Sequence, residues 1–166
     1  MKKYKIEFQS FSDVITNSSS TVFLVDRNTA EELEKMIPDC CIYSHELTWD
    51  VVCPEVFNIS DLSTLTTCQL EDIDSGLYHI RNYEDAIFSV LSSYPNTLEV
   101  KDQKLVDYFG IYGLDQENVK EYYDFCQNNK ELIEDKLIGK VYVDIEDTEE
   151  VYDYAKCNSI WWEYQH

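Results

Sequence analysis

The sequence predicts an α+β fold, with a mostly antiparallel sheet packed by helices that are concentrated in the C-terminal half. Segments of alternating polarity stand near both ends of the chain, which is the pattern of half-buried strands. Apolar residues three or four positions apart recur in the second half, which is the pattern of amphipathic helices. The 166 residues are 44% hydrophobic and contain no internal repeat or proline-rich linker, so we expect a single domain over residues 1–166.

Two strands and a short helix are predicted near the N-terminus. Residues 3–8 (KYKIEF) alternate as a half-buried strand does. Residues 21–25 (TVFLV) are apolar on both faces, which favours a central strand. Thr29 and Glu32 have the spacing of a capping box, and Pro38 would end the helix that they open. The apolar face of that helix would hold Leu33, Met36 and Ile37.

The middle of the chain is less regular. Residues 41–53 carry mostly apolar side chains at odd positions and polar ones at even positions, which predicts a long strand or hairpin arm. Residues 54–76 are rich in Ser, Thr and Asp, which favours loops with at most one short helical turn. Gly76 predicts a turn.

Three further helices follow. Asn82 is the expected cap of the first, whose apolar stripe is Tyr83, Ala86, Ile87, Val90 and Leu91. Asp115 opens the second, whose stripe is Val119, Tyr122, Tyr123 and Cys126. A third, short helix through Leu132, Ile133 and Leu137 would end at Gly139.

The C-terminal segment predicts a strand, a helix and a strand. Residues 140–145 (KVYVDI) alternate, with Val141, Val143 and Ile145 on the inner face. Asp147 and Glu150 predict a capped helix carrying Val151, Tyr154 and Ala155. Residues 159–164 (SIWWEY) predict a final strand whose Trp161, Trp162 and Tyr164 complete the core. The alternative is that these aromatic residues anchor a partner or a second copy of the chain.

The charge restricts the partners. The chain has 33 acidic and 13 basic residues, a net charge of −20 and a pI of about 4.2. Residues 1–30 contribute +1, so the acidity belongs to the body of the chain. Such a field disfavours direct binding to nucleic acid or to anionic membranes, and it attracts basic surfaces in a salt-dependent way. An ordinary solvated surface is the alternative interpretation.

Several kinds of chemistry are disfavoured. The four isolated glycines form no phosphate-binding loop, and no GxSxG motif is present. Cys41, His45 and Cys53 would share one side of an extended strand, where Cys41 and His45 stand roughly 13 Å apart, too far for one zinc ion. The three histidines, His45, His79 and His166, give no specific triad pattern. We therefore expect no cofactor, no metal and no catalytic residue.

The apolar runs are too short for a membrane span or for the middle of a signal peptide, so we expect a cytoplasmic protein. In that compartment the six cysteines would be reduced and mostly buried as small hydrophobic residues.

A run of hydroxyl and amide side chains precedes the predicted central strand. It is interpreted first as a tight reversal between strands, and alternatively as a binding loop of Asn17, Ser18, Ser19 and Ser20. The stretch TNSSSTVF, Thr16 to Phe23, resembles the start of a group of uncharacterised bacterial and phage proteins that open with a strand, T-N-S-S-S and an apolar strand. The chain departs from the group at Thr21 and Val22, where the group commonly continues the serine run. The resemblance implies a microbial or phage origin and gives no residue a role.

These observations predict a non-enzymatic acidic binding protein with a tyrosine-rich face that docks on a basic protein surface. One version is a phage-type inhibitor that mimics nucleic-acid charge on a nucleic-acid-binding protein of a host defence system. The carboxylates expected to bind are Asp144, Glu146, Asp147, Glu149, Glu150 and Asp153, then Glu117, Glu121 and Asp124. The alternatives are a small hydrolase-like enzyme that uses carboxylates with His45 or His79, and an acidic structural module. A homo-oligomer also remains open.

Overall fold

The computed structural model of the protein describes residues 20–59, 61–94, 116–146 and 151–165. The elements are, in chain order, β1 (Ser20–Val25), α1 (Arg27–Met36), β2 (Ile42–Glu46), α2 (Trp49–Val52), α3 (Thr67–Ser92), α4 (Gln116–Asn128), α5 (Lys130–Lys136), β3 (Val141–Glu146), α6 (Tyr152–Cys157) and β4 (Ser159–Gln165). Short 3₁₀ turns lie at Asp39–Cys41, Glu55–Phe57 and Leu62–Thr64. The predicted strand at residues 3–8 lies outside the described residues.

The chain divides into two units, residues 1–45 with 141–166 and residues 46–140. The single domain over residues 1–166 stays a prediction.

The first unit is built on a four-stranded antiparallel sheet in the order β2-β3-β1-β4. The predicted α+β class is confirmed. β1 pairs with β3 on one side and β4 on the other, and its residues from Thr21 to Val25 are buried, as expected for a strand that is apolar on both faces.

One face of this sheet carries the unit's core. Phe23 and Val25 of β1 lie beside Val141, Val143 and Ile145 of β3, because these residues alternate toward the same side. The buried residues that α1 and α6 contribute to this core are Ala30, Leu33 and Ala155, joined by Val151 at the start of α6. The inner face predicted for β3 is therefore confirmed.

Helix α1 starts earlier than predicted. It begins at Arg27, so Thr29 lies inside the helix and the predicted capping box is wrong. Leu33 is buried, but Met36 is 48% exposed. The helix ends before Pro38 because the residue that precedes a proline is driven to extended backbone, which Ile37 adopts.

The predicted long strand over residues 41–53 is wrong in extent. Strand β2 stops at Glu46, and Thr48 opens the four-residue helix α2. Leu47 marks the change, because its backbone N–H donates to the carbonyl of Lys140 and its carbonyl accepts from Gly139.

The long helix α3 dominates the second unit. It begins at a capping box in which the Thr66 hydroxyl accepts from the Gln69 backbone N–H and the Gln69 side chain accepts from the Thr66 backbone N–H. The helix passes through Gly76 and Asn82, so the predicted turn and the predicted cap are both wrong. The predicted stripe is nevertheless confirmed, since Tyr83, Ala86, Ile87, Val90 and Leu91 are all buried.

Gly76 lets a neighbouring turn approach α3. A Cβ atom at this position would lie 2.9 Å from Cε1 and 3.3 Å from Cζ of the buried Phe57 ring. The glycine is therefore required by close packing, and it ends no element.

Helices α4 and α5 follow the predicted periodicity. Val119, Tyr122 and Cys126 of α4 are buried and Tyr123 is half-buried, while Ile133 and Leu137 are buried in and after α5. Gly139 has a φ of 82°, the left-handed conformation that favours glycine just past a helix end. No helix within the described ranges combines the length and the apolar character needed to cross a membrane.

Candidate functional site

Strand β4 lies at an edge of the sheet that the described strands form, and it exposes large apolar side chains. Ile160 is 47% exposed, Trp162 37% and Tyr164 47%, and we call these three residues the β4 surface. The strand itself is confirmed, but the expectation that its aromatic residues complete the core is wrong for Trp162 and Tyr164. Large apolar side chains exposed on an edge strand are typical of an interaction site.

The register explains why Trp162 and Tyr164 face the same way. They stand opposite Phe23 and Thr21, so they continue the core face of the sheet beyond β1. The register shifts between Leu24 and Val25, and the extra residue on β4 is Ile160.

Trp162 belongs to a cluster of aromatic rings that extends from the core to the surface. The Tyr152 ring meets the buried Phe23 ring edge to face at 6.3 Å and the Trp162 ring at 5.7 Å between centroids. The Lys156 ammonium lies 4.4 Å from the Trp162 ring centroid and 5.6 Å from that of Tyr152. The Trp162 ring therefore packs against Tyr152 and already accepts a cation on one face.

Carboxylates lie on the same unit. Glu146 ends β3 and is exposed, and Ser20 of β1 stands between it and Gln165 of β4 in register. Glu163 of β4 and Asp153 of α6 are also exposed. Since neighbouring strands are about 4.8 Å apart, Glu146 lies about 10 Å across the sheet from the end of β4.

Asp144 differs from the other expected binding residues. It is only partly exposed, it accepts a hydrogen bond from Ser20, and one of its oxygens is buried without a partner among the described residues. Burial raises the pKa of this carboxyl, although the Ser20 hydrogen bond opposes the rise. Asp144 is consequently a poorer candidate for a rim charge than Glu146.

The second group of expected carboxylates lies on α4, in the other unit. Glu117 and Asp124 are exposed and Glu121 is half-buried. Asp124 pairs with Lys120 at 3.4 Å, an exposed helix pair that contributes little to stability. The structure places this group and Asp144, Glu146 and Asp153 in different units.

Most of the other residues expected to bind lie outside the described ranges. Asp147, Glu149 and Glu150 lie outside the described residues, as do Asn17, Ser18 and Ser19. Ser20 starts β1 and is half-buried.

An acidic and apolar face lies on the first half of α3, where the sequence pattern had predicted loops. Asp74 and Tyr78 lie one and two turns beyond Leu70, and Tyr78 is 64% exposed. Glu71 is exposed beside Asp74 and Tyr78. The capping box at Thr66 was the sequence signal that would have revealed this part of the helix.

The histidines and the groups that could bind a metal were candidates for chemistry in the sequence. No three His, Cys, Asp or Glu side chains there could hold a metal ion together. A cleft of about 720 Å³ at the junction of α4 and α5 is lined by residues 127–132 and Asp135, which include neither histidine nor cysteine. His45 is half-buried on β2, and His79 is exposed on α3, where it meets the Tyr78 ring at 5.9 Å.

The cysteines are less buried than expected. All six are thiols, but only Cys53 and Cys126 are buried, while Cys40, Cys68 and Cys157 are exposed and Cys41 is partly exposed. The prediction that most of them are buried is wrong.

The two buried thiols belong to a polar cluster inside the second unit. The Tyr122 hydroxyl donates to the Val52 carbonyl at 2.6 Å, and the Cys126 thiol donates to the same oxygen at 3.7 Å. Cys53 receives the side-chain amide of Gln127 at 3.6 Å. Burial raises the pKa of the Cys126 thiol, whereas the neighbouring Cys126 thiol lowers the pKa of Cys53. The cluster therefore satisfies polar groups that are buried inside the second unit.

No protein-family model, no curated protein and no solved structure matches the chain.

Proposed function

We propose that the protein is a non-enzymatic binding protein that docks on a basic protein surface, with the β4 surface at the centre of the contact. The observation that carries this proposal is the exposure of Trp162 and Tyr164 on an edge strand of a chain with a net charge of −20. Tryptophan and tyrosine are enriched at the energetic centres of interfaces, and carboxylates around them accelerate encounter with a basic partner.

The ammonium group that lies over Trp162 supports the proposal that the partner is basic. Lys156 shows that the ring face accepts an ammonium group at 4.4 Å. An arginine or lysine of a partner would make the same contact in place of Lys156, and the exposed Asp153 of α6, three residues before Lys156, supplies compensating charge.

The specific version of this proposal is a cytoplasmic, phage-type inhibitor that occupies the nucleic-acid groove of a host defence protein. A groove that neutralises many phosphates also accepts a surface of carboxylates, and binding to it weakens steeply as salt rises. The chain would then compete with nucleic acid for its partner.

The test starts with capture of bacterial proteins on the immobilised full-length chain, eluted with a salt gradient. For each retained protein, the Kd is then measured at several salt concentrations and in competition with nucleic acid. We expect retained nucleic-acid-binding proteins, a Kd that rises with salt, and displacement by nucleic acid. The proposal fails if binding to every basic partner is indifferent to salt.

Matched variants locate the contact. Trp162→Ala should weaken binding by about 2 kcal/mol or more, as expected for a central aromatic residue. Tyr43→Ala is the control, because Tyr43 is 56% exposed on β2 at the opposite edge of the same sheet and should leave the Kd unchanged. Asp153→Asn should reduce the association rate more than Glu31→Gln of α1 does. Equal effects of Trp162→Ala and Tyr43→Ala would contradict the location.

A further inference from the structure

Two neighbouring thiols stand together on an exposed turn of the first unit. Cys40 and Cys41 close the 3₁₀ turn that follows Pro38, and their Sγ atoms are 3.6 Å apart. Cys40 is exposed and Cys41 is partly exposed, so the turn lies at the surface of the unit. The turn is held by a hydrogen bond from the Cys41 backbone N–H to the Pro38 carbonyl at 2.8 Å.

A direct disulfide between these cysteines is sterically disfavoured. The Cα atoms of consecutive residues joined by a trans peptide are about 3.8 Å apart. Disulfides usually join Cα atoms about 4.4–6.8 Å apart, so closing the bond here would strain the backbone. The pair therefore favours the dithiol form and a ligand that bridges the sulfurs through an additional atom.

The number of sulfur atoms and the distance between them indicate which kind of atom could bridge them. A structural zinc ion takes four ligands, and no group of three or more His, Cys, Asp or Glu in the described ranges could supply them. A metal that binds two thiolates in a line, with bonds of about 2.3 Å, would need the sulfurs about 4.6 Å apart. A pyramidal centre with similar bonds and angles near about 100° needs about 3.5 Å, which the observed 3.6 Å matches.

We propose that Cys40 and Cys41 form a chelating site for a thiophilic, pyramidal centre, namely a trivalent arsenical that carries one organic group. Both thiols bond to arsenic, and their two protons leave with the oxygen of the arsenical as one molecule of water. Arsenic stays trivalent throughout, so the reaction needs no oxidant or reductant. This site is independent of the proposed partner-binding surface.

Phenylarsine oxide with the full-length chain tests the proposal. We expect one equivalent to bind, an intact mass increased by that of phenylarsine oxide less one water, and the loss of two titratable thiols. A small dithiol such as 2,3-dimercaptopropanol should reverse the binding. Peptide mapping should place the arsenic on the peptide that contains residues 40 and 41.

Serine variants distinguish this pair from the other cysteines. Cys40→Ser and Cys41→Ser should each weaken binding by about 10²-fold or more, because the second sulfur acts at a high effective concentration. Cys157→Ser and Cys68→Ser replace exposed single thiols and should leave binding unchanged. Circular dichroism checks that each variant is folded. If Cys41→Ser does not fold, the binding measured for Cys40→Ser is sufficient to test the proposal.

Two results would overturn the proposal. One is full binding by a folded Cys40→Ser variant. The other is loss of binding in Cys53→Ala with retention in Cys40→Ser, which would assign the arsenical to the buried thiols Cys53 and Cys126.

Discussion

Replacement of Gly76 by alanine tests the packing of α3 in the second unit. Alanine in the interior of a helix is favoured over glycine by about 1 kcal/mol. Replacing a glycine that faces open space would therefore stabilise the protein. Here the new methyl group would lie 2.9 Å from the Phe57 ring and 3.5 Å from Cγ of Pro54. The Phe57 side chain is fully buried and also meets Tyr122 edge to face at 6.1 Å, so it has little room to move.

Insertion of a methyl group into a packed core costs about 1–3 kcal/mol, which exceeds the gain in helix propensity. We therefore expect Gly76→Ala to destabilise the protein by about 1 kcal/mol, or to lower Tm by about 2–4 °C for a chain of this size. Urea unfolding followed by circular dichroism measures the change in the free energy of unfolding, with an unchanged m-value as the check that the transition is comparable.

Two further variants separate the contact from the helix propensity. Ser75→Ala changes an exposed neighbour on the same helix and should stabilise the protein by a few tenths of a kcal/mol. In a Phe57→Leu background, the space vacated by the ring should make Gly76→Ala neutral or stabilising. The reasoning is refuted if Gly76→Ala stabilises the unmodified protein by the full propensity gain, or if the Phe57→Leu background leaves its effect unchanged.

Two other variants test buried polar groups. Tyr122→Phe should lower the free energy of unfolding by about 1 kcal/mol. The expected loss is modest because the Cys126 thiol still donates to the Val52 carbonyl. Chemical denaturation measures the change, and a loss above about 3 kcal/mol would contradict this explanation. Asp144 has a raised pKa in the folded state, so its contribution to stability is present below its unfolded pKa and is lost as pH rises through the folded pKa. Asp144→Asn, which keeps an acceptor for Ser20, should therefore be more stable than the parent at pH 7 and equal to it near pH 3, as thermal unfolding at both pH values would show.

The strands that the sequence predicted well are those whose pattern has one explanation. Residues 21–25 are apolar on both faces, and only a central strand buries both. Val141, Val143 and Ile145 alternate with Tyr142, Asp144 and Glu146, and this period of two predicts both the strand and its inner face. In each case burial and periodicity require the same element.

The first half of α3 was missed because a local signal was given too much weight. Gly76 suggested a turn, although Ile73, Leu77 and Ile80 continue the helical stripe that includes Tyr83. The glycine is explained by Phe57, a contact across nineteen positions that no local pattern contains. The strand predicted over residues 41–53 was too long for a related reason. Leu47 forms backbone hydrogen bonds with Lys140 and Gly139, and the alternating pattern contains no information about these distant partners.

The candidate site was predictable in charge but not in shape. Carboxylates stay at the surface because their burial is costly, so the exposure of Glu146 and Asp153 follows from their identity. Whether Trp162 completes a core or faces solvent depends on which strand ends the sheet. That order is set by pairing between β1 and β4, which are more than a hundred residues apart in sequence.

The combination of an exposed aromatic strand with a strongly acidic body also bears on self-association. An edge strand bearing Trp162 and Tyr164 would readily pair with a second copy in a neutral protein. Two copies of this chain each carry a net charge of −20, so their repulsion opposes that pairing, whereas a basic partner converts the same field into attraction. Added salt screens both effects, so it should promote self-association while it weakens binding to a basic partner. Sedimentation of the isolated chain over the salt range used for the partner Kd therefore distinguishes the two occupants of the β4 surface. If binding to a basic partner and self-association both strengthened with salt, apolar contact alone would explain the surface and its acidic surroundings would have no part in recognition.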